Sequence, residues 1–319
     1  MSKDKSKLEQ SIIQREFYQK KSVFRQMKEN KYWGLILSPY LFNQFILFPI
    51  TVVIVILISF TSMDYSMKWD FNGWTNYRKV LADPKISMIF WNTIIFIIST
   101  LVIKMFLGFL IAVTTTYFMR NSRAGTLFRA IWLLPKVSPS VVEALLWTWI
   151  FSPTDKGILN MLLFEFNGSE PVAWLTEYPL LINVLLAGVM GTTITTIILS
   201  SAIQSIDPNL FRIAKIDGAS DLTIIRRLIL PHLRWPITFL TLWQGISLLT
   251  SYESILLLTD GGPNYHSEVW SLYSFHTAFS TLDFGYGSAI SLYMLPIIFL
   301  IIFLAYKRFG FKKLMDGEK

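Results

Sequence analysis

The chain contains no cysteine, only three histidines in 319 residues, and only 16% charged residues. The lack of cysteine excludes a disulfide-stapled domain and a zinc module with thiolate ligands. Soluble domains carry about 25% charged residues, so a charged fraction this low argues against a soluble enzyme. His232, His266 and His276 are accompanied by no paired-carboxylate motif in a loop, which leaves little for acid–base chemistry. The chain also lacks the GxxxxGK[ST] loop that cradles nucleotide phosphates. Nothing resembles a cleaved signal peptide, because some thirty polar residues precede the first apolar run and that run is too long for a signal h-region.

Apolar residues take up the balance. They make up 53% of the chain, aromatics 15%, and the mean hydropathy is +0.47. Six stretches are long enough to cross a bilayer core, which needs about 20 apolar residues. They are Trp33–Phe60, Ile89–Met119, Ala130–Phe151, Leu180–Ile203, Pro236–Leu258 and Ser288–Tyr306. The expected fold is all-α, a polytopic membrane protein of six transmembrane helices. Residues 1–32 form a basic N-terminal segment, 33–306 the membrane domain with a loop at 205–235, and 307–319 a tail.

The positive charges are placed unevenly. Twenty-two of the 29 Lys and Arg lie in the N-terminal segment, the loops after spans two and four, and the tail. The other three loops hold five, and Lys104 and Lys136 lie within apolar runs. Acidic residues divide about evenly, nine against ten. By the positive-inside rule both termini are expected in the cytoplasm, as an even number of spans requires. The net charge of +8 is then a topology signal, and a nucleic-acid partner is not expected. Leu8, Ile12, Ile13, Phe17, Phe24 and Met27 fall loosely on one helical face among basic residues. This pattern fits an amphipathic helix on the inner surface or, equally, a solvated basic tail.

The loop after span four is long for a connector. Asp207 before Pro208 reads as an N-cap followed by proline at the first helical position. Leu210, Phe211, Ala214 and Ile213 then make one short amphipathic face. Gly218 permits a left-handed turn, and Ser220 or Asp221 can cap a second helix bearing Leu222, Ile225, Leu228 and Ile229, which Pro231 should end. The spacing predicts two short helices at an angle, presenting an apolar ridge that wants a groove on a partner.

The stretch from Ala214-Lys-Ile-Asp217-Gly218-Ala219-Ser220 to Leu230-Pro231 resembles the cytoplasmic signature loop of binding-protein-dependent ABC importer permeases, most nearly the family taking up oligosaccharides and glycerol phosphates. Similar motifs stand at Asn76-Tyr77-Arg78, Asn92-Thr93-Ile94, Phe128 to Pro135, Gly157-Ile158-Leu159-Asn160 and Leu258-Thr259-Asp260-Gly261-Gly262-Pro263. The resemblance implies a type I permease fold and a coupling helix, carried by Arg212, Ala214, Asp217, Gly218, Ala219, Leu230 and Pro231, that docks on an ATPase subunit. Its expected partners are a second permease (a heterodimer), two ATPase chains that bind ATP and magnesium, an extracytoplasmic binding protein, a sugar and membrane lipid. No cofactor is expected in this chain. The family usually opens the signature with Glu-Ala-Ala, whereas this chain has Arg212-Ile213-Ala214, so an acidic residue has become basic.

Polar residues inside spans are costly and are functional candidates. In span three, Lys136, Ser140, Glu143 and Trp147 follow i, i+4, i+7 and i+11, one face of a continuous helix. In span five, Gln244, Ser247, Ser251 and Ser254 make a second stripe, and span four adds Gly188, Gly191, Thr192, Thr195 and Thr196. Hydroxyl and amide groups beside a tryptophan face suit a sugar, so Ser140, Glu143, Trp147, Thr195, Gln244, Ser247 and Ser251 are candidate path residues. Each also has a packing explanation in a Lys136–Glu143 pair, back-bonding to the helix, or an interfacial ring. His266, Glu268 and His276 are poorly spaced for a metal site, and none is expected. The competing classes are a polytopic transferase and a secondary transporter; no internal repeat supports the latter.

Overall fold

The computed structural model describes residues 31–119, 123–168 and 170–309. The N-terminal pattern at Leu8–Met27 and the tail beyond residue 309 lie outside these residues. The chain divides into two units at Leu57 and Ile58.

The first unit holds all but the last two residues of α1, which begins as Lys31–Phe42, passes through a wider turn at Asn43–Leu47, and continues as Phe48–Ser59. The wide turn precedes Pro49, which has no N–H to give the helix ladder. The α1 stretch Ile36–Ser59 is long and apolar enough to cross a membrane.

The second unit is helical throughout, apart from loops and one isolated bridge between Thr61 and Phe71. After α2 (Thr75–Ala82) comes α3, Ile86–Val113 extended by a wide turn to Phe118, 33 residues in all. Next are α4 (Arg123–Leu133), which tightens into a 3-10 turn at Leu134–Val137, and α5 (Ser140–Ile150). α6 (Ile158–Asn167) precedes α7 (Pro179–Met190) and α8 (Thr192–Gln204), which make one 26-residue crossing bent at Gly191. The loop helices are α9 (Pro208–Ile216) and α10 (Asp221–Ile224, widening at Ile225–Ile229 and continuing through His232). The chain then forms α11 (Arg234–Leu249), α12 (Glu253–Leu258), α13 (Trp270–Phe275, widening to Ser280), α14 (Phe284–Leu292) and α15 (Met294–Phe309).

Among the described residues four helices are long and apolar enough to cross a membrane: Ile36–Ser59, Ile86–Phe118, Pro179–Gln204 and Phe284–Phe303. The third and fifth expected spans are broken, which corrects their reading as single helices. Span three divides between α4 and α5 because Pro139 takes extended backbone at the start of α5, and Pro135 lies in the 3-10 turn just before it. Span five divides at Thr250–Tyr252, between α11 and α12.

The long crossings meet where side chains are smallest. A Cβ on Gly188 would lie 2.6 Å from Ile103 of α3 and one on Gly108 2.5 Å from Thr195, while one on Gly191 would meet the movable end of the Lys104 side chain. Lipid tails are as apolar as the helices, so close van der Waals approach drives this contact, not expulsion of water. Buried asparagines then fix the loops. Asn76 donates to the carbonyls of Ser59 (2.9 Å) and Thr61 (2.7 Å), and Asn92 to those of Tyr265 (2.8 Å) and Glu268 (3.2 Å). Asn160 donates to Ser152 and Val172 and accepts from the Trp174 indole at 2.8 Å. Three of the motifs that carry the family resemblance are therefore polar staples, which orphan loop carbonyls at a membrane boundary need.

Candidate functional site

The loop between α8 and α11 forms from local signals. The Asp207 carboxylate accepts the Asn209 amide at 2.9 Å and starts α9 at Pro208. Gly218 has φ +74°, where an L-residue with a Cβ is strained. The Ser220 hydroxyl, not Asp221, accepts from the Thr223 amide and caps α10. Pro231 does not end that helix. The wider turn at Ile225–Ile229 places the Leu230 amide on Ile225, and the chain passes through Pro231, which has no N–H to place, toward α11.

The faces of α9 and α10 also differ from the expected ridge. Phe211 and Ala214 turn inward onto Ala112, Leu199 and Ile203 at the ends of α3 and α8, and Ile224 and Ile229 join that core. The residues turned outward are Leu210, Ile213, Ile216 (84% exposed) and Leu222, with Arg212 beside them. Buried Phe211 thus anchors α9 to the bundle while the apolar outer face stays open.

A polar clamp that spacing could not disclose fixes the angle of this loop. The Tyr117 hydroxyl at the end of α3 donates to Asp221 at 2.6 Å, and Lys215 of α9 meets the same carboxylate oxygen at 3.0 Å. The Tyr117 hydroxyl and the Lys215 ammonium hold that carboxyl below the usual range.

Of the residues expected along a path, Ser140, Glu143 and Trp147 share α5, but Lys136 lies in the 3-10 turn before the break, so the four do not form one helical face. The Ser140 hydroxyl instead donates to Glu253, the first residue of α12. Trp147 stacks on Phe151 at 5.9 Å. Gln244 is buried and donates to Thr195 at 2.7 Å, joining α11 to α8. Ser247 is exposed on α11, whereas Ser251 lies in the break, where its carbonyl accepts from Ser271 at 2.8 Å. Glu253 was missed by the sequence reading; an acidic residue inside an apolar run was the signal.

On the opposite face, the loop Thr259–Ser267 packs against α13. His276 bridges Asp260 (3.0 Å) and Glu268 (2.9 Å), while His266 is exposed and takes no part. Burial raises the Glu268 carboxyl to about 7, helped by the Asp260 charge and opposed by His276 and Lys85. Burial also acts to raise the Asp83 carboxyl, but the Tyr273 and Tyr286 hydroxyls and the Lys85 amide hold it below its ordinary value. Among the described residues no three His, Cys, Asp or Glu side chains are grouped to hold a metal ion.

Broken apolar crossings around a glycine-packed pair, with a capped two-helix loop outside the bundle, define a polytopic transport subunit. Residues 104–307 match the model of the family described as binding-protein-dependent transport system inner membrane component, and the chain belongs to that family. It is 32% identical over 225 residues to the probable ABC transporter permease protein y4oQ of Sinorhizobium fredii, covering 70% of this chain and 71% of that one. It is 29% identical to the trehalose/maltose transport system permease protein MalF of Thermococcus litoralis, over 75% and 80% of the two chains. The fold superimposes on a chain of a bacterial ABC transporter involved in the import of the acidic polysaccharide alginate, with a TM-score of 0.75 and 21% identity, over 90% of this chain and 97% of the other.

Proposed function

We propose that the chain is one membrane subunit of an ATP-driven saccharide importer, paired with a different permease and driven by two separate ATPase chains. Relatives named for trehalose/maltose, multiple-sugar and lactose transport support a saccharide as the cargo. A solved complex of the alginate transporter with its periplasmic protein supports delivery by an extracytoplasmic binding protein. The observation that carries the reading is the loop at 207–232. Phe211 anchors it, Tyr117 and Asp221 set its angle, and Leu210, Ile213, Ile216 and Leu222 project from it. Closure of an ATPase dimer on this surface would move α9 and α10 and, through Phe211, the ends of α3 and α8. Magnesium and ATP belong to the ATPase chains. Both termini face the cytoplasm, on the side rich in Lys and Arg.

Ser140, Glu143 and Trp147, with Glu253 and Ser247, offer acceptors, donors and a flat ring to a saccharide, while Gln244 and Thr195 hold the helices that carry them. Co-expression with a partner permease, an ATPase and a binding protein, followed by reconstitution, tests the reading. The expected result is uptake of a saccharide that depends on ATP and on the binding protein. A chain that binds no ATPase while remaining folded in the membrane would overturn it.

A further inference from the structure

A cavity of about 470 Å³ opens between the end of α3, the start of α4, the end of α8 and Phe211 of α9. Its polar lining is two arginines, hydroxyl groups and the Gln204 amide, and no carboxylate lines it among the described residues. Among the described residues the half-buried Arg129 guanidinium is aimed by neutral acceptors: the Thr116 hydroxyl at 3.0 Å, the Thr126 hydroxyl at 3.3 Å and the Thr115 carbonyl at 3.4 Å. Arg123, one α4 turn and a half away, lines the same cavity and has no ion-pair partner among the described residues. Asp221, which the cavity-lining Tyr117 contacts, is also engaged by Lys215 and does not line the cavity.

Two guanidinium groups and threonine hydroxyls around one void match a tetrahedral oxyanion. Arginine forks pair with phosphate oxygens in two parallel bonds, and the hydroxyls supply further donors. We propose that this cavity binds a phosphate group, carried by an anionic phospholipid headgroup or by a soluble phosphate compound. Basic pockets between transmembrane helices at the cytoplasmic boundary are suited to such headgroups. Because Phe211 forms one wall, an occupied cavity braces α9 against the bundle. That consequence rests on the coupling role proposed above; the binding itself does not.

The test uses the purified complex in nanodiscs of phosphatidylcholine, with and without phosphatidylglycerol, and in phosphatidylcholine with inorganic phosphate added at constant ionic strength. The readouts are the thermal unfolding midpoint of this chain and the ATPase rate. If phosphatidylglycerol raises the midpoint of the wild type, and Arg123→Gln and Arg129→Gln each weaken the half-saturating effect about tenfold or more, the ligand is a lipid headgroup. If inorganic phosphate does so instead, the ligand is a soluble phosphate. Arg129→Lys, which keeps the charge, should restore part of the effect. Arg123→Gln removes an exposed side chain with no ion pair among the described residues, so it carries the test should Arg129→Gln fold poorly. No response of the wild type to either source, or equal responses in wild type and both Gln variants, overturns the inference. A midpoint shift without any ATPase association would leave the phosphate site standing and count against the coupling reading.

Discussion

Where α3 meets α7 and α8, glycine is needed because there is no room for more: a Cβ at Gly108 would fall 2.5 Å from Thr195 and one at Gly188 2.6 Å from Ile103, both β-branched. At the turn between α9 and α10 the room is ample. No atom lies within 4 Å of where a Gly218 Cβ would stand, and glycine is needed there for its φ of +74°. The first region is held by close helix contact in lipid, the second by caps, one aromatic anchor and a polar clamp at an exposed surface. A substitution should therefore damage the protein's integrity in the first region and its coupling in the second.

The largest effect is expected from Gly188→Leu. Overpacking costs about 1–3 kcal/mol even where neighbours can shift, and here the neighbour is the β-branched Ile103, its Cγ2 2.6 Å and its Cβ 2.8 Å from where the new Cβ would stand. The folded yield of the chain and its detergent-resistant assembly should fall severely; normal yield would show that the two crossings are not locked together. Next is Gly218→Val. Positive φ costs an ordinary residue about 1–2 kcal/mol, and a branched one more. Membrane levels should stay normal while ATPase binding or substrate-stimulated hydrolysis is lost. Gly218→Asn, which tolerates the left-handed region, should retain most coupling, as reconstituted ATPase assays would show.

Gln244→Ala should act like a mild member of the first region. Interhelical hydrogen bonds in membranes average about 0.6 kcal/mol, so losing the 2.7 Å bond to Thr195 should lower the unfolding midpoint slightly. Ser247→Ala and Glu143→Ala, which touch no such bond, should leave that midpoint unchanged and reduce uptake. The smallest effect belongs to Glu268. With its carboxyl raised from 4.5 to about 7, the folded loop holds a proton that the unfolded chain releases. That contribution is complete below about 4.5 and is lost as pH rises to about 7. Limited proteolysis of the 259–268 loop should therefore grow faster across this window, and Glu268→Gln should flatten the dependence.

The same contrast separates what could be read from the sequence and what could not. The Asp207 cap, Pro208, the turn at Gly218 and the Ser220 cap depend on neighbours a few residues away, and all are visible in the bare chain. Pro135 and Pro139 were visible too, yet the length of the apolar run outweighed them and hid the break in span three. The break at Thr250–Tyr252 contains neither glycine nor proline. It is met by tertiary bonds from Ser271 to Ser251 and from Ser140 to Glu253, which no local pattern carries. Which way Phe211 faces was likewise unreadable, because an amphipathic helix shows its apolar side without showing what covers it. Here the bundle covers Phe211 and Ala214 and leaves Leu210 and Ile213 open.

The most direct test of the account is the ratio of ATP hydrolysed to saccharide imported, measured in liposomes for the wild-type complex, Gly218→Val and Gly218→Asn at equal permease content. A loop that couples through its left-handed turn predicts little or no uptake for valine, through lost ATPase binding or through hydrolysis that no longer drives transport, and near-normal stoichiometry for asparagine. An unchanged ratio and uptake rate in Gly218→Val would contradict it and reduce the segment to a connector.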